Sequence, residues 1–155
     1  MIVVSDTTAI TTLLKAGEER VLQRLFNEVI VPQAVWDELR VFHSWLPDFV
    51  SLRLVGDVTR RFPETEALGR GEAEAIKLAK EINADVLLTD DRKARAAATE
   101  LGINALGLLG VVVQARLSGQ IQSARTLIEA IETRGGLYLS DSVKAEALKL
   151  TGEVG

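Results

Sequence analysis

The chain has 155 residues, 22 of them acidic and 18 basic, for a net charge of -4 at pH 7, and 47% are hydrophobic. That length supports one domain with a substantial core. The absence of cysteine excludes disulfides, thiolate zinc sites and a cysteine nucleophile, and a net acidic chain does not hold nucleic acid by its overall field, so such a role needs a local basic patch plus bound metal. No N-terminal stretch reads as a signal peptide and no apolar run is long enough to span a bilayer. The expected location is the cytoplasm.

The first stretch is the most informative. Ile2-Val3-Val4-Ser5 is a short run, largely apolar and β-branched, that stops at Asp6. A run apolar on both faces reads as a strand inside a parallel sheet. Asp6 then stands at the strand's carboxyl end, the rim where open α/β sheets bind ligands. Thr7 to Ala16 has helical pattern, with Ile10, Leu13 and Leu14 on one face and Gly17 as its stop. Glu18 to Phe26 reads as a second short helix, and Val29-Ile30-Val31 as a second strand. Pro32 opens a helix through Val35, Trp36 and Leu39.

On that helix Glu38 has Ala34, Val35, Val41 and Phe42 as its neighbours, all apolar, whereas Asp37 faces a mixed surface. A carboxylate on an apolar stripe needs a partner or an escape to water. Val41 to Phe49 reads as a short helix or an irregular turn, Ser51 to Val55 alternates like a short strand, and Thr59 to Leu68 reads as a polar helix or a loop. Gly69-Arg70-Gly71 marks a tight loop opening a helix to about Ile82. Glu72 follows its buried stripe and Glu74 is expected to be solvated. Asn83 is expected to stop this helix in the left-handed conformation.

Val86-Leu87-Leu88-Thr89-Asp90-Asp91 repeats the opening pattern of an apolar run ending in acid, followed by a helix to Leu101 and Gly102. One helix cap needs one aspartate, and here there are two. Ile103 to Leu106 is a short strand. The helix after Gly107 is apolar nearly all round, so it is central or part of a subunit contact, and a homodimer is expected. Ser123 to Thr133 and Ser142 to Leu150, the latter capped by Ser140, close the chain, with a turn at Arg134-Gly135-Gly136. Alternating strands and helices give an α/β class, a three-layer α/β/α sandwich with a mainly parallel central sheet. A single domain over 1–155 is expected, with the helices of 122–151 packed on it.

Two strand ends and two helices thus supply Asp6, Glu38, Glu72 and the Asp90-Asp91 pair to one edge. Converging carboxylates repel one another, and either raised pKa values or bound cations relieve this. Hard oxygen ligands suit Mg²⁺ or Mn²⁺, which activate water and neutralise a phosphodiester without a serine, cysteine or histidine nucleophile. Arg70, Arg92, Lys93 and Arg95 flank these acids and are candidates to grip RNA phosphates. His43, the one histidine, lies beside Phe42 and Trp45 and reads as packing or surface.

Ser5-Asp6-Thr7-Thr8, Val31-Pro32 through Glu38-Leu39, Gly71-Glu72-Ala73-Glu74-Ala75-Ile76 and Leu88-Thr89-Asp90-Asp91-Arg92 resemble, in order and spacing, the PIN-domain family, in the branch of small prokaryotic VapC-type toxins. The resemblance covers about the first 110 residues, and the later helices, including Gly136 to Gly152, resemble tails of the same branch. It implies a PIN-like fold and a Mg²⁺- or Mn²⁺-dependent endoribonuclease, the toxin of a toxin–antitoxin pair, with a small antitoxin blocking the cleft. It maps the acidic ligands onto Asp6, Glu38, Glu72, Asp90 and Asp91, with either member of the last pair as the direct ligand. It gives Thr8 a metal-bound water. Many relatives carry aspartate where this chain has Glu72.

Three rivals fit less well. A response-receiver phosphotransfer domain wants its acid pair after the first strand and a lysine after the last core strand, where Leu106 leads into Gly107 and Leu108. A phosphohydrolase of the haloacid dehalogenase kind matches the late acid pair but needs an aspartate where Thr8 stands. A non-catalytic RNA- or protein-binding scaffold has no need of the intact acid set.

Overall fold

The apolar runs form strands because β-branched residues buried on both faces suit the interior of a parallel sheet. A computed structural model describes residues 1–153 and places β1 (Val3–Ser5), β2 (Val29–Val31), β3 (Val50–Leu52), β4 (Val86–Leu88) and β5 (Ala105–Leu106) in one sheet. Their order is β3-β2-β1-β4-β5, and every neighbouring pair is parallel. The chain builds outward from β1 in one direction, then returns to β1's other side with β4. The reversal of strand order therefore lies between β1 and β4, where Val3, Val4 and Ser5 pair with Val86, Leu87 and Leu88.

The helices are α1 (Thr7–Ala16), α2 (Arg20–Phe26), α3 (Gln33–Phe42), α4 (Arg70–Glu81), α5 (Arg92–Glu100), α6 (Leu108–Leu117), α7 (Ala124–Thr133) and α8 (Asp141–Leu150). They complete the expected α/β/α sandwich. Gly17 stops α1 in the left-handed conformation, with φ +72° and its N–H on the carbonyls of Leu13 and Leu14. Asn83 is left-handed as well, at φ 49°. The core is drawn from strands and helices alike: Val4, Ile10, Leu22, Ile76, Leu87, Leu108 and Ile131 are essentially inaccessible to water. Each such side chain contributes on the order of 2 kcal/mol through burial.

Several expected boundaries move. The third strand is Val50–Leu52 rather than Ser51–Val55, because it lies on the sheet edge and the chain leaves the sheet after the Arg53 N–H bonds the Val31 carbonyl at 2.9 Å. The fifth is only Ala105–Leu106, since the Ile103 N–H still bonds the Ala98 carbonyl at 2.8 Å and so closes α5. Thr59 to Leu68 is a loop with one short 3₁₀ turn at Pro63–Thr65. Helix α6 packs on α2, α7 and α8, which buries Leu108, Val111, Val112 and Ala115, while Leu117 stays exposed. Helix α7 packs on α1 as well as on α6 and α8.

Candidate active site

Asp6 leaves β1 at the carboxyl rim. Its N–H bonds the Leu88 carbonyl of β4 at 3.0 Å, which ties the two strand ends together. Its side chain caps α1, accepting from the Ala9 N–H at 3.2 Å, and is 3% exposed. A cap bond ordinarily depresses a carboxyl's pKa. Here burial outweighs it, and with repulsion from Asp90 and Glu72 lifts the Asp6 carboxyl from 3.8 to about 6, against the opposing hydrogen bonds of Thr89 and Ala9.

Asp90 follows β4 onto the same rim. Both of its oxygens accept from the Leu108 N–H, at 3.1 and 3.2 Å, at the start of α6. Burial raises its pKa, opposed by the Leu108 N–H and by the charge of Arg95. Gly107 keeps the space beside it open, since a Cβ there would lie 2.8 Å from Asp90 Oδ1. The neighbouring acid points elsewhere: Asp91 is exposed and caps α5, accepting from the Ala94 N–H at 2.8 Å. The structure separates two residues that the sequence left equivalent.

The remaining acids come from helices. Glu38 on α3 accepts from the Thr7 hydroxyl at 2.6 Å, which fixes it beside the residue following Asp6. Glu72, in the first turn of α4, lies near enough to Asp6 to raise its pKa. The two glycines at the head of α4 are needed for room rather than for a tight turn. A Cβ on Gly69 would stand 2.7 Å from Glu72 Oε2, and one on Gly71 would stand 2.7 Å from Glu38 Oε1. Neither has a left-handed backbone.

Glu74 corrects the reading of α4. It is half-buried rather than solvated, and its Oε1 accepts from the Ala34 N–H at 3.0 Å, holding the first turn of α3 against α4. Thr89 is buried and was not singled out from the sequence. It hydrogen-bonds the Asp6 carboxylate and receives the Asp91 N–H at 3.3 Å. A polar residue between an apolar strand and an acid pair was the available signal. Thr7 holds Glu38, and the exposed Thr8 lines the cleft beside it.

Of the basic candidates, Arg95 is tied electrostatically to the cluster through Asp90. Arg92 and Lys93 are exposed on the first turn of α5. Arg70 projects from α4 toward Glu74, 4.0 Å away. His43 sits at the end of α3 with its Nε2 3.1 Å from the Thr11 hydroxyl; burial and the nearby Lys15 lower its pKa.

The donor set is all oxygen, which fits a hard divalent cation. Among the described residues, no three acidic or histidine side chains already form a metal-holding group.

The chain matches the family model described as DUF3368, PIN domain, over residues 2–153. It is similar in structure to a PilT N-terminus domain protein from the hyperthermophilic archaeon Sulfolobus solfataricus P2, with a TM-score of 0.56 and 23% identity over 74% of this chain and 93% of that one. At that identity the likeness speaks for the fold alone. No curated protein gives a significant match.

Proposed function

Because the chain belongs to the PIN-domain family, a nuclease superfamily, we propose that it is a divalent-metal-dependent endoribonuclease that hydrolyses RNA phosphodiester bonds. The observation carrying this reading is the meeting of Asp6 and Asp90 at the strand-order reversal, with Glu72 close enough to perturb Asp6. Asp6, Glu38, Glu72 and Asp90 would hold Mg²⁺ or Mn²⁺, in part through water, while Asp91 serves as the cap of α5. When bound, such a cation activates water and neutralises charge on the phosphodiester.

The protein's own groups have separate tasks. Asp6 is available as an anion above about pH 6. Thr89 orients its carboxylate, and Thr7 orients that of Glu38. Arg95 stands beside Asp90, and with Arg92, Lys93 and Arg70 it offers positive charge to a phosphate backbone. The biological setting we propose is a toxin–antitoxin pair in the cytoplasm, with a small antitoxin covering the cleft and the chain acting as a homodimer.

Incubation with single-stranded RNA, with and without Mn²⁺, comparing wild type with Asp6→Asn, tests the reading. Metal-dependent cleavage lost in Asp6→Asn is expected. Metal-independent cleavage that Asp6→Asn leaves unchanged would reject it.

A further inference from the structure

Beside the acid cluster a trough of about 360 Å³ runs along α1, with the last turn of α3 on one side and the Gly135-Gly136 turn on the other. Glu38 stands at its head. Phe42 lies one helical turn further along α3, on the same face, and its side chain lines the trough while the residue remains 71% exposed. Lys15 and the hydroxyl-bearing Thr8 and Thr11 supply the polar lining.

The trough is held in shape. Two bonds bridge α1 and α3, from Thr7 to Glu38 at 2.6 Å and between Thr11 and His43 at 3.1 Å. The facing wall is the Gly135-Gly136 backbone followed by Leu137. A Cβ on Gly135 would meet the Ile131 carbonyl at 2.4 Å and Thr12 Cγ2 at 2.8 Å, and Gly136 has a left-handed φ of +72°. The Arg134 guanidinium clamps this turn to α1, donating to the Ala16 carbonyl at 3.0 and 2.9 Å.

An open aromatic face, one cation and hydroxyl groups are what an unpaired nucleotide requires: a surface to stack on, charge for its phosphate, and partners for base edge or ribose. We propose that this trough seats a nucleotide of single-stranded RNA next to the scissile phosphate, with Phe42 stacking on its base and Lys15 facing its phosphate. The assignment rests on the ribonuclease reading and adds to it a place where the strand must be unpaired.

The test is fluorescence anisotropy of a short fluorescein-labelled single-stranded RNA on Asp6→Asn protein, which serves as the cleavage-deficient host, in Mg²⁺. Phe42 is exposed, so its replacement spares the core. Adding Phe42→Ala is expected to weaken binding about 5- to 150-fold, the range for losing one base–aromatic stack, and Phe42→Tyr to restore it. Lys15→Ala is expected to flatten the dependence of log affinity on log salt by about 0.7. In otherwise wild-type protein, Phe42→Ala is expected to raise KM more than it lowers kcat. If wild type cleaves RNA and Asp6→Asn does not, yet Phe42→Ala and Lys15→Ala bind as tightly as their host, the trough assignment falls while the nuclease reading stands, and the trough is left to a protein partner. If wild type neither binds nor cleaves the RNA, both fall.

Discussion

Asp6→Asn is expected to stabilise the metal-free protein at neutral pH while removing its activity. The unfolded carboxyl ionises near 3.8 and the folded one near 6. Below the unfolded value both states are protonated and the fold bears no penalty. As pH rises through 6 the folded state must release a proton it holds more tightly than the unfolded chain does, so stability falls. At 1.36 kcal/mol per pKa unit, the full penalty is about 3 kcal/mol above pH 7, and it shrinks below about 1 kcal/mol by pH 4. Asparagine keeps the cap on the Ala9 N–H, because asparagine and aspartate cap about equally well, and it has no charge to bury. Urea unfolding in EDTA at pH 4 and pH 7.5 measures the effect. The variant's advantage should appear at the higher pH and correspond to roughly 6–12 °C in Tm as an upper bound. Added Mg²⁺ should stabilise wild type much more than the variant. A variant equal to or less stable than wild type at both pH values would refute the reasoning.

Gly71→Ala is expected to leave thermal stability unchanged or slightly raised, because alanine favours a helix by about 1 kcal/mol, yet to lower cleavage by displacing the Glu38 carboxylate that its Cβ would meet at 2.7 Å; melting and cleavage assays on one preparation check this. Asp91→Ala should cost about 1 kcal/mol in urea unfolding through the lost α5 cap and retain most cleavage, whereas Asp90→Ala should abolish cleavage. Thr89→Val removes a hydrogen bond that lowers the Asp6 pKa, so the acid limb of the cleavage pH profile should move to higher pH. An unmoved limb would mean that Thr89 does not act through Asp6.

The architecture was readable because β1, β2 and β4 are apolar on both faces and end in a polar residue or proline, a local pattern that tertiary contacts reinforce. Asp6 and Asp90 were readable for the same reason, since the end of a parallel strand fixes where the next side chain goes. Asp91 was not separable from Asp90, because a cap depends on which carboxylate the first turn of α5 turns toward, and adjacent residues offer the same chemistry. Glu74 was misjudged because its partner, the Ala34 N–H, lies 40 positions away and no helix-face rule reports it. Gly69 and Gly71 read in the sequence as a tight loop, whereas what they provide is empty volume for two carboxylates. The edge strand β3 and the loop after it lacked periodicity strong enough to fix their ends.

The pairing of β1 with β4 joins segments more than eighty positions apart. Asp6 therefore leaves a ribosome well before Asp90, which must be made, emerge and dock before the two carboxylates share one hollow. A partly synthesised chain consequently carries half of the anionic pair and none of its mutual repulsion. Whatever chemistry the rim performs is deferred until the sheet closes, so a protein that attacks RNA would be assembled on RNA in a form unable to do so.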